Sequence, residues 1–176
     1  RQMCIRDRKT VGTGPIEEDR LMKESLSMLT LHEIGHTLGL GHNFKASTFH
    51  DAESIHNALI TEPKGLTASV MDYSTINVAP LGKKQGQYYD TKPGVYDIWA
   101  IQFGYSRALD DPAKMDAHLA RSNEHGLDYA NDSDDMRSAG KAIDPRAMVS
   151  DMSSEPIRYA VERMDSAGER LTARVG

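Results

Sequence analysis

The sequence predicts a mainly helical chain with long loops, organised as one domain of ordinary size, and three observations carry that expectation. Residues 17–38 place Leu21, Met22, Ser25, Leu29, His32 and His36 at three- and four-residue steps, one stripe of a helix. Pro93-Gly94, Asp111-Pro112 and Ser154-Glu155-Pro156 each open a further helical pattern. Residues 66–92 carry turn residues throughout and hold no sustained period. Strand-like alternation is sparse, and no internal repeat or low-complexity tract interrupts the chain.

In chain order, the first helix follows Gly12-Thr13-Gly14-Pro15 and starts near Ile16. Glu17, Glu18 and Asp19 fill its first turn, where the helix dipole favours anions. Gly39 should end it, since glycine turns left-handed without steric cost. Residues 51–61, DAESIHNALIT, read as a short helix ended by Pro63 and Gly65. The irregular stretch 66–92 is long for a loop inside a domain, and such loops usually wrap a site. VYDIWAIQF then reads as a short apolar helix with Gly104 as its cap. Asp111-Pro112 starts another, to about residue 122. Residues 123–150 are polar and loop-like, and a last helix follows Pro156. The opening RQMCIRDR has no amphipathic period. It looks like translated sequencing-adapter read-through, with a native loop or strand end as the alternative. On that reading the chain begins in mid-protein, and a helix still running near residue 176 suggests truncation there as well.

Composition narrows the function classes. The 176 residues are 39% hydrophobic and 27% charged, near soluble globular values, with a net charge of −5. An acidic surface argues against a nucleic-acid partner or an anionic membrane. No apolar run reaches the roughly 18 residues needed to span a bilayer. The single cysteine, Cys4, excludes an intrachain disulfide and a thiolate zinc site.

The chemistry lies in residues 32–42, HEIGHTLGLGH. Four residues is just over one helical turn, so His32 and His36 stand on one face and can converge on one cation. Glu33 is rotated by about 100° from His32, outside that ligand set but within reach of a water held there. Gly39 lets the chain leave the helix, and His42 can return as a third ligand. Three imidazoles and an open position describe a catalytic zinc site rather than a closed structural one. Zinc lowers the pKa of its water to about 7. Glu33 is then placed to act as general base and to hand the proton to a leaving amine. From average residue usage this pattern arises by chance in such a chain on the order of once in 10⁵, which sets aside surface histidines on a plain helix.

His32-Glu33-x-x-His36-x-x-Gly39-x-x-His42 resembles the signature of the metzincin zinc endopeptidases. Ser69-Val70-Met71-Asp72-Tyr73 resembles their Met-turn, with Met71 placed 29 residues after His42. The resemblance implies Met71 as an apolar floor beneath the histidines, and Tyr73 as a residue that can ligate zinc at rest and hydrogen-bond the oxyanion in turnover; the alternative for Tyr73 is a packed side chain whose hydroxyl satisfies a backbone group. Asp97–Gln102 with Gly104-Tyr105 is similar to the helix after the Met-turn, where Ile98, Trp99 and Ile101 would be core. Together with IDPRAM and EPIRYAVERM, these stretches look closest to a bacterial family of large, exported, zinc-dependent metalloproteases.

The implied fold class is α+β, a metzincin-like zincin catalytic domain. The sheet that precedes the active-site helix would be largely missing from this chain, along with the N-terminal part of its parent. Residues 1–15 would be an N-terminal remnant. Residues 16–109 would hold the active-site helix, zinc site, Met-turn and following helix, and 110–176 a helical and loop extension. The implied cofactor is one catalytic Zn²⁺, the partner a protein or peptide substrate, and the location periplasmic or extracellular. Two alternatives share the motif: a non-catalytic zinc-binding module, and a zinc hydrolase of a non-peptide amide.

Other residues carry less. His50, His56, His118 and His125 read as surface or capping histidines. Residues 131–135, NDSDD, lack the glycine and terminal glutamate of an EF-hand loop and read as a solvated acidic loop. Lys83-Lys84 reads as a solvent-facing pair. Asp72 could accept a hydrogen bond from a ligand imidazole or stabilise its own turn. No GxSxG elbow and no phosphate-binding glycine loop is present.

Overall fold

Twenty residues with acids at the start and a histidine in the last turn form α1, Glu18–Thr37. It ends in a Schellman motif. Leu40 N–H donates to the Gly35 carbonyl, Gly39 N–H donates to that of His36, and Gly39 takes φ = +88°. This computed structural model describes residues 18–80, 82–137 and 144–175. The expectations for residues 1–15 and for the first residues of α1 lie outside them.

The face of α1 that packs differs from the expected stripe. Glu24, His32 and Gly35 are buried and Met28 is half-buried, whereas Met22 and Leu29 are about half exposed. The reason is a polar clamp. The Glu24 carboxylate accepts hydrogen bonds from the backbone N–H groups of Tyr88 and Tyr89 and pairs with Arg20, which donates to the Gly86 carbonyl. That clamp turns the Glu24–Met28–His32–Gly35 line toward the rest of the chain.

The expected helix over 51–61 is two elements. A 3₁₀ turn, Ser54–His56, stops at Asn57, whose side chain caps α2, Ala58–Lys64. Pro63 lies inside α2 and Gly65 ends it. In a seven-residue helix Pro63 forfeits only the one bond its N–H would have made to Leu59. No helix or strand forms in the described part of 66–92. α3 spans Val95–Tyr105, with Gly94 at its N-terminus and Ser106 at its end. Gly104 is therefore inside α3 and is not its cap. Ile98 is 53% exposed and does not join a core, while Trp99 and Ile101 are half-buried. Asp111 caps α4, Pro112–Ala120, through Ala113 N–H and Lys114 N–H, and α5 spans Pro156–Val175.

Among the described residues, two small apolar clusters hold these pieces. Ala52, Ile55, Leu66, Met152 and Tyr159 bring the 3₁₀ turn, the irregular stretch and the start of α5 together. Ala46, Phe49 and Ala68 form the second, covered by Val95 and Tyr96 of α3. Helices with long loops are what the sequence predicts. No strand occurs among the described residues, so the sheet of the implied α+β class has no counterpart in them. No described helix is long and apolar enough to cross a membrane.

Candidate metal centre

The last two turns of α1 and the chain just after it build the site. His32 is buried, His36 is exposed at the helix end, and His42 returns after the Gly39 turn. One ring nitrogen from each comes within 4.8 Å of the others. The Nε2 atoms of His32 and His36 are 3.1 Å apart. Among the described residues no other group of three or more His, Cys, Asp or Glu side chains converges in this way.

The opposite nitrogen of each ring decides the tautomer. His32 Nδ1 lies 2.8 Å from the Val70 carbonyl and His36 Nδ1 lies 3.0 Å from that of Leu40. Carbonyl oxygens only accept, so both Nδ1 atoms carry a proton, and in the neutral ring that leaves the lone pair on Nε2. His42 Nδ1 sits 2.8 Å and 3.0 Å from the two carboxylate oxygens of Asp132, which fixes the same tautomer. His42 Nε2 is buried without a hydrogen-bond partner. Burial also holds the His32 imidazole below its ordinary pKa, favouring the neutral ring. With Nδ1 engaged in each ring, the Nε2 atoms are the ones left to face one point, the donor set that a divalent cation requires. Zinc is an ion that such a set of imidazole nitrogens would hold.

The Met-turn lies beneath. Met71 is fully buried, and its sulfur packs so closely on Gly35 that a Cβ there would collide with it. Tyr73 is exposed beside the site. Its ring stacks on His32 at 5.2 Å and tilts over His42 at 4.6 Å. Glu33 is exposed next to His32, whose imidazole feels its charge.

Asp97 organises this turn. Its carboxylate accepts from the Ser69 hydroxyl at 2.5 Å, from Val70 N–H at 2.9 Å and from Gly94 N–H at 2.7 Å. Val70 is thereby held by its N–H on Asp97 and by its carbonyl on His32. Asp90 does similar work earlier, accepting from Leu66 N–H, Thr67 N–H and the Thr67 hydroxyl.

A family described as Met-zincin matches residues 14–173. The chain belongs to the Met-zincin family. No curated protein and no solved structure matches it. Family and histidine triad together indicate a zinc metallopeptidase.

In this Met-zincin the structure gathers His32, His36, His42, Met71 and Tyr73 at one place, with Glu33 beside His32 and Gly39 making the turn. Asp72 is a turn residue. Its Oδ2 accepts from Ser47 N–H at 2.7 Å, and burial with the neighbouring Asp151 charge pushes its carboxyl well above the usual range. His50 and His118 are buried, not superficial, each bonded to a backbone carbonyl, that of Gly65 and of Trp99. Lys83 and Lys84 face solvent as expected.

Three residues at the site carry no motif of their own: Gly35, Asp97 and Asp132. A glycine in mid-helix between two ligands signals close packing, and Gly94-x-x-Asp97 signals a helix start. Asp132 has no local signal. The acidic stretch 131–135 is not merely solvated, because one of its carboxylates reaches His42 across 90 residues of sequence.

Proposed function

We propose that the chain carries the catalytic centre of a zinc-dependent endopeptidase, with His32, His36 and His42 as zinc ligands. The observation that supports this most is the convergence of three Nδ1-protonated imidazoles on one point. Zinc, when bound, supplies Lewis acidity that polarises the scissile carbonyl and acidifies a water. Glu33 takes the proton of the attacking water and delivers it to the leaving amine. Tyr73, beside His32 and His42, donates its hydroxyl to the oxyanion that develops on the carbonyl. Gly39 sets the return of His42, and Met71 closes the site from below. The resemblance to exported metalloproteases favours action in the periplasm or outside the cell.

The test is zinc content and cleavage of an unstructured protein by the full-length gene product, wild type against Glu33→Ala. About one zinc per chain in both is expected, with cleavage falling by several orders of magnitude in the variant. Equal cleavage in both overturns the assignment of Glu33. Zinc binding with no cleavage by the wild type favours a non-catalytic zinc module. Turnover of simple amides but not peptides favours a hydrolase of another class.

A further inference from the structure

We infer that Asp132 is a positioning residue for the metal centre, holding the His42 ring in its ligating tautomer through a loop that Asn43 clamps in place. The inference rests on the zinc reading above and adds to it the residue that completes the third ligand.

The three histidines are anchored differently. Those on α1 use backbone carbonyls, that of Val70 in the 69–73 turn for His32 and that of Leu40 just past the helix for His36. His42 lies beyond the helix, where no regular backbone fixes its ring. Its Nδ1–H donates instead to a carboxylate, at 2.8 Å and 3.0 Å from the two oxygens. A carboxylate behind an imidazole fixes its orientation and makes the opposite nitrogen a stronger donor to a metal.

The carboxylate is built into position. Asn43, adjacent to His42 and fully buried, donates its side-chain N–H to the Asp128 carbonyl and accepts from Ala130 N–H. Phe44 N–H donates to the Ala130 carbonyl. Residues 42–44 and 128–132 are therefore tied together along their length. The loop closes on itself beyond that point. Asn131 N–H donates to Asp134 Oδ2, and Ser133 N–H donates to Asn131 Oδ1, which leaves Asp132 at the tip facing His42.

The test compares zinc affinity, by chelator competition, in the wild type, Asp132→Ala, Asp132→Asn and Asp134→Ala. Asp134 shapes the same loop and bonds Asn131 rather than a histidine, so it reports the cost of disturbing the loop alone. Asp132→Ala is expected to weaken zinc about 10- to 100-fold. Asp132→Asn, which keeps an oxygen for the Nδ1–H, should recover part of that loss, and Asp134→Ala should stay within a few fold of wild type. A second readout needs no metal. In the zinc-free chain the His42 Nδ1–H proton resonance, present in the wild type and in Asp132→Asn, should be lost in Asp132→Ala. Unchanged zinc affinity in Asp132→Ala overturns this inference and leaves the zinc reading intact. Equal losses in Asp132→Ala and Asp134→Ala overturn it in favour of loop folding. A wild type that binds no zinc overturns both readings.

Discussion

Gly35 is where a single side chain matters most. A methyl group there would run into the Met71 sulfur, so the fully buried Met71 side chain must repack to accept it. In an ordinary helix interior Gly→Ala stabilises by up to about 1 kcal/mol. Gly35→Ala should instead destabilise by about 1–3 kcal/mol, the usual cost of overpacking, and should weaken zinc binding because His32 and His36 flank it. Urea unfolding with a zinc titration checks this, and a stabilised variant would refute the contact. At this scale the ligands are readable because their spacing is local: His32, His36, Gly39 and His42 lie within one helix end. Asp132 is not readable, since nothing in its neighbours announces a partner 90 residues away.

Among the elements, the irregular stretch 66–92 depends on buried carboxylates rather than on a ladder. Asp90 and Asp97 accept the N–H groups that a strand would have paired. Burial pushes the Asp90 carboxyl up to about 6, against the hydrogen bonds from Thr67 and Leu66 that pull it down. An unfolded Asp titrates near 3.9, so between about pH 4 and 6 the folded chain keeps a proton that the unfolded chain has released. The Asp90 contribution to stability is therefore greatest below about pH 4 and declines as pH rises through about 6. Over that interval the decline amounts to about 3 kcal/mol. Measured from pH 4 to 7, the unfolding free energy of the wild type should fall relative to that of Asp90→Asn, and parallel curves would count against the assignment. The looped character of this stretch is legible from its turn residues. The packed face of α1 is not, because hydrophobicity places Met22 and Leu29 inward while the Glu24 clamp decides the orientation.

Across the molecule, residues beyond 110 are part of the support for the site. Ser150 N–H donates to the Tyr73 carbonyl, Met148 N–H to that of Phe44 and Ser153 N–H to that of Ser47. Met152, 1% exposed, fills the cluster of Ile55, Leu66 and Tyr159. Met152→Ala should cost about 2–5 kcal/mol, read by denaturant titration. A loss below about 1 kcal/mol would mean that this segment is not anchored there. A helix pattern from Pro156 is visible in the sequence, but the docking of 148–153 under Tyr73 is not, since it runs through backbone groups that every residue shares. The zinc ligands themselves are the opposite case, all contained in residues 32–42. A denatured chain keeps those three imidazoles near one another and so retains some hold on the ion. Added zinc should therefore raise the melting temperature by less than the native-state Kd alone requires, because the ion also rewards the unfolded ensemble. The melting shift across a zinc series, set against the Kd measured on the folded chain, would expose that difference.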